Sequence, residues 1–267
     1  MSRLIDISSV RQEELFDQLA PDYALLLDDW DGYLAAQGKL LDDLLREHAA
    51  REVGSILDCT CGIGTQCLGL ARLGYRLTGT DISRKSLARA EREAARLTMQ
   101  INFLVADVRK LDEVVSETFD AVISCDNSLP ALLSEVELGA AVRQIFARLA
   151  WPGIAILSIR DYRQIFAERK RFNLRQIHEV DGRRLLVFDL WDYHGEFVTF
   201  EVLFVQEEDV GWSVRSRPMV YRAVYSEDFI RLLRAAGFAE VRLIRELAGQ
   251  ALPFDHYVCL KQRSTSG

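Results

Sequence analysis

Two acids and two glycines carry the clearest chemistry in this chain: Asp58, Gly62, Gly64 and Asp81. The apolar run Ser55-Ile-Leu stops at Asp58, and Cys-Thr60-Cys-Gly62-Ile-Gly64 follows before a helical pattern starts at Thr65. A second strand-like run, 75–80, ends at Asp81. A strand, a glycine turn, a helix and a second strand ending in an acid form the front half of a nucleoside-binding βαβ unit. Glycine lacks Cβ and tolerates positive φ, so such a turn lets the backbone approach a ligand closely. A carboxylate at the tip of the second strand can accept hydrogen bonds from both ribose hydroxyls.

The type of nucleoside is narrowed by what is missing. A dinucleotide fingerprint needs a third glycine, and Cys67 stands in its place. No G-x-x-x-x-G-K-[ST] occurs, which excludes a P-loop. Asp58 before the glycines would repel a diphosphate and welcome an ammonium or a sulfonium. Further polar residues stand where later strands should end: Asp107, Asp126-Asn127 and Arg160-Asp161. In a parallel sheet, ligands bind beyond the carboxyl ends of the strands, so these residues define one rim.

On these residues the chain resembles the class I S-adenosylmethionine-dependent methyltransferases. Asp58-Cys-Thr-Cys-Gly62-Ile-Gly64 is similar to their first motif, Asp81 to their ribose acid, and Ala106-Asp107-Val108 to their adenine segment. More narrowly it resembles the glycine N-methyltransferase group and its bacterial small-molecule relatives. That likeness rests on Phe16-Asp-Gln-Leu-Ala-Pro-Asp-Tyr23 with Trp30, Cys125-Asp-Asn-Ser-Leu-Pro130, Ser158-Ile-Arg-Asp-Tyr162 and Tyr221-Arg-Ala-Val-Tyr225. It implies S-adenosyl-L-methionine as cofactor and S-adenosyl-L-homocysteine as product. Thr60 and Gly62 would then offer backbone groups to the methionine moiety, and Asp81 would grip the ribose diol. Asp107 would accept from the adenine amine, with Ile82 and Val108 sandwiching the ring. The Cys125 carbonyl would lie near the ammonium. Tyr23 and Trp30 would close over the cofactor from an N-terminal cap, their faces suiting a weakly hydrated cation.

The same resemblance implies a substrate set. Arg160 corresponds to an arginine that pairs with a substrate carboxylate, a task a guanidinium performs bidentately. Asn127 corresponds to an asparagine that orients the amino acid, and Tyr221 or Tyr225 to a tyrosine at the substrate. Tyr33 stands in the cap. The chain departs from the family at several points. Asp126 replaces a glycine, Ala131 a histidine and Ala36 an arginine, and Pro253-Phe-Asp-His256 stands where Tyr-Gln-Pro is expected. Asp126 adds negative charge beside the transfer site, which favours a cationic or amine-bearing acceptor, or one without a carboxylate, and counts against glycine itself.

Three functions follow as expectations. The first is methyl transfer to the nitrogen of an amino acid or compact amine, with Tyr225, Asn127, Arg160 and Tyr221 at the reaction. The second is C- or O-methylation of an aromatic natural product, with Asp126 or His256 as base and Trp191, Tyr193 and Trp212 as an aromatic pocket. The third, nucleic-acid modification or a non-catalytic cofactor-binding module, is disfavoured. Asp126-Asn-Ser-Leu-Pro lacks adjacent prolines, and with a net charge of −7 no Lys/Arg block could track a phosphate backbone. Glu168-Arg-Lys-Arg171 is short and reads as a solvated helix end.

The 267 residues, 49% hydrophobic, suffice for one sizeable core with a lid. No run reaches about 18 apolar residues and the start of the chain is polar, so a soluble, cytoplasmic protein with a small-molecule substrate and no membrane partner is expected. Relatives include monomers, dimers and tetramers, which leaves a homo-oligomer open. Cys59, Cys61, Cys67, Cys125 and Cys259 are odd in number and form no zinc spacing, so they read as buried packing residues and no metal is expected.

The elements that position these groups follow from periodicity. Helices are expected at 11–19 and 34–49, then strands 55–59, 76–81, 101–105, 121–125 and 154–159 alternating with helices 65–73, 83–97 and 138–149. Such alternation means a parallel sheet with right-handed crossovers. After Tyr162 the rhythm becomes period two: strands 184–191, 196–206 and 212–221, with Asp181-Gly182 and His194-Gly195 as hairpin signals. Helix 226–236 and strands 241–245 and 256–261 close the chain, and the family likeness makes the last two an antiparallel edge pair. The fold class is thus α/β: a Rossmann-like, mostly parallel seven-stranded sheet with helices on both faces, an N-terminal helical cap and an antiparallel β insert after the fifth strand. The divisions are 1–50 for the cap, 51–165 with 225–263 for the cofactor-binding core, and 166–224 for the insert. A frayed tail is expected over 263–267.

Overall fold

The computed structural model describes residues 10–262. The first nine residues of the expected cap, and the expected tail with the final residue of the core division, lie outside the described residues. Five strands run parallel: β1 (Ser55–Asp58), β2 (Arg76–Asp81), β3 (Asn102–Val105), β4 (Phe119–Ser124) and β5 (Leu149–Ile159). β1 and β4 are almost wholly buried, which is why they read as continuous apolar runs rather than alternating ones.

Helices α1 (Gln12–Leu19) and α2 (Trp30–His48) precede the sheet. The helices α3 (Thr65–Ala71), α4 (Arg84–Arg96) and α5 (Glu135–Arg148) connect its strands, and α6 (Tyr162–Glu168) leads out of β5. Capping side chains fix several starts. Ser83 Oγ accepts from Ser86 N at the head of α4, and Ser134 Oγ from Glu137 N at the head of α5. The insert consists of β6 (Phe172–Val180), β7 (Arg183–His194), β8 (Phe197–Glu207) and β9 (Trp212–Arg222), a four-stranded antiparallel sheet in sequential order. Asp181 and Gly182 turn the first hairpin at φ 53° and 73°. Helix α7 (Ser226–Ala235) and strands β10 (Glu240–Leu247) and β11 (Gln250–Lys261) return to the main sheet, where β11 lies antiparallel to both β10 and β5.

The main sheet has the order β3-β2-β1-β4-β5-β11-β10, in keeping with the expected fold class. The order reverses between β1 and β4, so the crevice beyond their carboxyl ends is the natural ligand position. The inner face of the insert alternates Leu185, Val187, Asp189 and Trp191 on β7 with Val198, Phe200, Val202 and Phe204 on β8. Its apolar members join the same core cluster as Leu57, Val122 and Leu157 of the main sheet. The insert is therefore packed over the carboxyl end of the sheet.

Two elements were not anticipated. β6 escaped because its burial is shallow along its length and a bulge between Leu174 and Gln176 breaks period two. α6 is short and mostly exposed, with Tyr162 alone buried. The last two strands also run longer than expected, through a turn at Ala248-Gly249 with φ 51° and 79°.

α2 and α3 approach backbone to backbone. A Cβ added at Gly69 would meet Leu34 O at 2.3 Å and Gly38 N at 2.9 Å. Because both neighbours are backbone, Gly69→Ala is expected to cost about 1–3 kcal/mol by overpacking. Thermal denaturation should register a fall in Tm of roughly 2–12 °C at this chain size.

The N-terminal elements are tied at several points. Asp17 Oδ1 accepts from Ser83 Oγ (2.6 Å) and Lys85 N (3.1 Å). Asp22 pairs with Arg217 of β9 at 2.7 Å, and His178 Nε2 of β6 meets Leu25 O at 2.8 Å. These contacts set the 3₁₀ turn Tyr23–Leu26 between the main sheet and the insert.

Candidate functional site

The glycine turn after β1 is built on Asp58 and Asp81. Asp58 is 1% exposed; its Oδ1 accepts from Thr60 N at 3.3 Å and its Oδ2 from Cys67 Sγ at 3.6 Å. Burial pushes its carboxyl up to about 7. Gly62 and Gly64 take φ 54° and 91°, which bends the chain over Asp58. Asp81 Oδ2 accepts from Gly62 N at 2.9 Å and Oδ1 from Ser83 N at 2.8 Å. One carboxylate thus holds the turn and the head of α4, and its oxygens retain further lone pairs. Burial raises the Asp81 carboxyl above the usual range, against the pull of those backbone N–H groups.

At the end of β3, Asp107 is claimed by Arg109. It accepts from Arg109 N (2.9 Å) and from the guanidinium at Nε and Nη2 (2.9 and 2.6 Å). Burial works to raise this carboxyl, but the Arg109 hydrogen bonds and charge outweigh it and hold it below the usual range. Arg109 also pairs with Glu137 of α5.

The tips of β4 and β5 are strained and interlocked. Asp126 and Asn127 are consecutive non-glycine residues with φ 56° and 65°, a conformation costing on the order of 1–3 kcal/mol each. Ser158 secures them: its Oγ accepts from Asp126 N (2.9 Å) and its carbonyl from Asn127 N (3.2 Å). The Asn127 side chain accepts from Arg160 N (3.0 Å) and donates to Tyr162 Oη (3.0 Å). This geometry aims Asp126 differently from Asn127. Asp126 Oδ2 accepts from Tyr33 Oη (3.0 Å) and Gln66 Nε2 (2.8 Å), while Oδ1 is buried with no partner among the described residues. Burial raises the Asp126 carboxyl, opposed by Gln66, Tyr33 and the nearby Arg160.

These strand ends open into one cavity of about 590 Å³. At one end it is bounded by Thr60, Gly62, Asp81 and Ile82, with Asp107 and Val108 beside them. Cys125 and Asp126 also line it, as do Phe16, Leu19 and Tyr23. Arg160 completes the lining with five residues of the insert: Arg175, Phe200, Val202, Met219 and Tyr221. The Arg160 guanidinium lies 5.5 Å over the Trp191 ring and has no side-chain hydrogen bond or ion pair among the described residues. Asp161, its neighbour in sequence, instead caps α6 through Arg163 N and Gln164 N.

Other expected site residues do not line this cavity. Asp58 and Gly64 lie beneath the turn. Trp30 starts α2 and packs beside Leu34, Leu68 and Ala94. Tyr33 reaches the site only through Asp126. The Asn127 amide is directed into the tip of β5. Tyr225 is the N-cap of α7, beneath Arg163, because the chain turns into the helix directly after β9. Tyr193 donates to Lys170 O at 2.9 Å and packs against Phe166. His256 is 2% exposed within β11, between Ser158 and Ile244, with Nδ1 on Phe254 O; burial lowers its pKa. Phe200 and Met219 were foreshadowed only by the period-two pattern of the insert, and Arg175, beside the β6 bulge, by no sequence signal.

The buried Asp58 makes cation affinity depend on pH. Because burial pushes it up to about 7, its carboxyl gains charge progressively as pH rises through neutrality. A cationic ligand beyond the turn prefers the charged form, so affinity should rise as pH climbs from 6 to 8. Calorimetry is expected to register about a three- to tenfold tightening for S-adenosylmethionine over that span, abolished in Asp58→Asn.

Residues 56–153 match the model of a methyltransferase domain. Among curated relatives, a glycine/sarcosine N-methyltransferase of Parasynechococcus marenigrum is 33% identical over 151 residues, 57% of this chain and 52% of that protein. The matched stretch thus spans about half the length of that relative. A cypemycin N-terminal methyltransferase of a Streptomyces species is 31% identical over 202 residues, 76% of this chain and 74% of its own length. Among solved structures, the S-adenosylmethionine-bound amino pentose methyltransferase of Micromonospora echinaspora superimposes with a TM-score of 0.73 at 21% identity, covering 90% of this chain and 94% of that one. The switch-point crevice, the acid-tipped second strand and these matches converge on a single family: the chain belongs to the class I S-adenosylmethionine-dependent methyltransferases.

Proposed function

We infer that this methyltransferase acts on the nitrogen of an amino acid or compact amine, held at the Asp126 end of the cavity. The observation that carries the reading is the buried, unpartnered Asp126 Oδ1 in a wall that also presents the unpaired Arg160 guanidinium. An orphaned buried acceptor costs free energy unless a ligand donates to it, and an amine N–H is such a donor.

The residues present fit the cofactor. A Cβ added at Gly62 would meet nothing within 4 Å, so the turn leaves open room above it. Asp81 retains free lone pairs beside that room for a ribose diol. Thr60 and Gly62 serve the amino-acid end, Ile82 and Val108 the purine faces, and the Cys125 carbonyl the ammonium. Asp107, engaged by Arg109, is an acceptor of fixed orientation for the adenine amine. When bound, the cofactor supplies a methyl group already activated on a sulfonium.

What remains for the chain is alignment. Arg160 would take the acceptor's carboxylate as a fork, with Tyr221 beside it. Asp126 would draw the acceptor's N–H toward Oδ1 and direct the lone pair at the methyl. An amine must be neutral to attack, and a carboxylate whose pKa burial has raised is a suitable resting place for its proton. Residues 1–50 would act as the cap and 166–224 as a lid, with Tyr23 over the transfer site. A sequence relative whose name specifies N-methylation supports the same direction. The competing C- or O-methylation of an aromatic would have to rely on Asp126 as its base, since His256 does not line the cavity.

Methyl-labelled cofactor offered with glycine, sarcosine, small amines and phenols tests the reading. Label is expected on the amines. Transfer confined to phenols or carbon acids would overturn it.

A further inference from the structure

The insert is a sheet with two apolar faces, and only the inner one is covered. That face packs over the main sheet and gives Phe200, Met219 and Tyr221 to the cavity. The strand register fixes what stands on the other face. Ile177, Leu186, Val205 and Val214 form one row across all four strands. Leu174, Phe188, Leu203 and Ser216 form the next row, and Phe172, Leu190, Glu201 and Pro218 a third. A solvated face of an antiparallel sheet is ordinarily polar where the core face is apolar. Here ten of the twelve positions in these rows are apolar, Ser216 and Glu201 being the exceptions.

These side chains meet water. Phe172, Leu174, Ile177, Leu190 and Val214 are 47–59% exposed. None of the ten apolar residues joins a core cluster among the described residues. A contiguous apolar surface above a few hundred Å² marks an interaction site. Strands of nine to twelve residues, set about 4.8 Å apart, give this face roughly 15 by 33 Å, or about 500 Å². Two such faces brought together would remove at least about 1,000 Å² from water, the size a specific protein interface needs. The row beyond Ile177 holds Glu179, Arg184, Glu207 and Trp212, where Arg184 is paired with Glu207 at 2.9 Å. Glu179 and Glu201 have no ion pair among the described residues, so the charge left over within these rows is acidic. That sign disfavours an anionic lipid surface.

We propose that this face is the contact between two copies of the chain, packed sheet on sheet about a two-fold axis. Such an isologous contact needs a patch complementary to itself, and an apolar one with charge only toward its ends meets that need. Two copies of one sheet also share one twist, so their faces match in the aligned packing of a β-sandwich. The pairing bears on the cavity through strand alternation. Phe200 and Met219 line the cavity, while their chain neighbours Glu201 and Pro218 lie on the outer face. The second copy therefore backs the wall against which the methyl acceptor is held, whatever that acceptor is.

Sedimentation velocity of the full chain at micromolar concentrations tests the contact. The expected species has twice the mass of the chain. Ile177→Glu combined with Val214→Glu places two charges in the most apolar row, and the two-fold axis doubles them. Both side chains are more than half exposed, so the sheet keeps its core. The dissociation constant of the pair should rise by about a hundredfold or more, as for loss of a central hot spot. Val136→Glu, equally exposed but on α5, should leave the dimer unchanged. Circular dichroism and S-adenosylhomocysteine binding establish that each variant is folded, and Leu190→Glu replaces the double variant if that one is not. A wild-type monomer at every concentration would overturn the proposal, as would a dimer that persists in a folded variant of this face. A wild-type monomer that co-sediments with phospholipid vesicles would also overturn it, assigning the face to a lipid surface.

Discussion

Replacing Asp81 by alanine is expected to weaken S-adenosylmethionine binding by at least about a hundredfold, because one carboxylate supports three things at once. It accepts from Gly62 N and thereby fixes the glycine turn. It accepts from Ser83 N and thereby fixes the head of α4. Its remaining lone pairs face the cavity, where a ribose diol would donate to them. Alanine leaves two backbone donors unpaired and removes the diol's acceptor. Asp81→Asn keeps one oxygen, so its loss should be smaller, about tenfold. Equilibrium binding of S-adenosylhomocysteine provides the comparison, with circular dichroism to establish that both variants are folded. If alanine at 81 left affinity within threefold of the wild type, the nucleoside end of the cavity would be misassigned.

The second large effect belongs to Asp126→Asn. Oδ2 of Asp126 is held by Tyr33 and Gln66, so an asparagine oxygen would take that position and its amide nitrogen would occupy the place of Oδ1. A donor then stands where an orphaned acceptor stood, opposed to the N–H of an amine. Turnover on an amine is expected to fall by about 10²–10³, in the range of a lost general base, with cofactor affinity nearly unchanged. The pH profile adds a sign. Burial raises the Asp126 carboxyl, so the active charged form is lost as pH falls through that raised pKa. The wild-type rate should therefore drop on the acid side at a pH above the usual carboxylate range, and the asparagine variant should lack that inflection. An unchanged kcat in Asp126→Asn would remove Asp126 from the reaction.

Much of this arrangement was legible in the residues themselves. β1 and β2 end within a residue of where their apolar runs meet Asp58 and Asp81, because a buried parallel strand tolerates an acid only at its tip. Five strand ends carrying polar groups pointed to one rim, and Asp81, Asp107, Asp126 and Arg160 do line a common cavity. What sequence could not give was direction. Tyr221 and Tyr225 are four residues apart, yet the first lies on β9 and the second caps α7, so only Tyr221 reaches the cavity. Asp126 and Asn127 are adjacent, and their left-handed backbone separates their side chains between the cavity and β5. Trp30 and His256 have chemistry that fits a site, but helix start and strand pairing place them elsewhere. Arg175 was missed because the bulge in β6 hides the alternation that would have assigned its face.

The central claim is that one cavity holds the sulfonium nucleoside at the glycine turn and leaves the Asp126 and Arg160 end for the acceptor. A crystal grown with S-adenosylhomocysteine tests it most directly. The expected density runs from Asp107 past Asp81 and Gly62 to the floor beside Asp126, with the space before Arg160 and Tyr221 left free. Density at another location, or a ligand that fills the Arg160 end and leaves Asp81 untouched, would contradict the account.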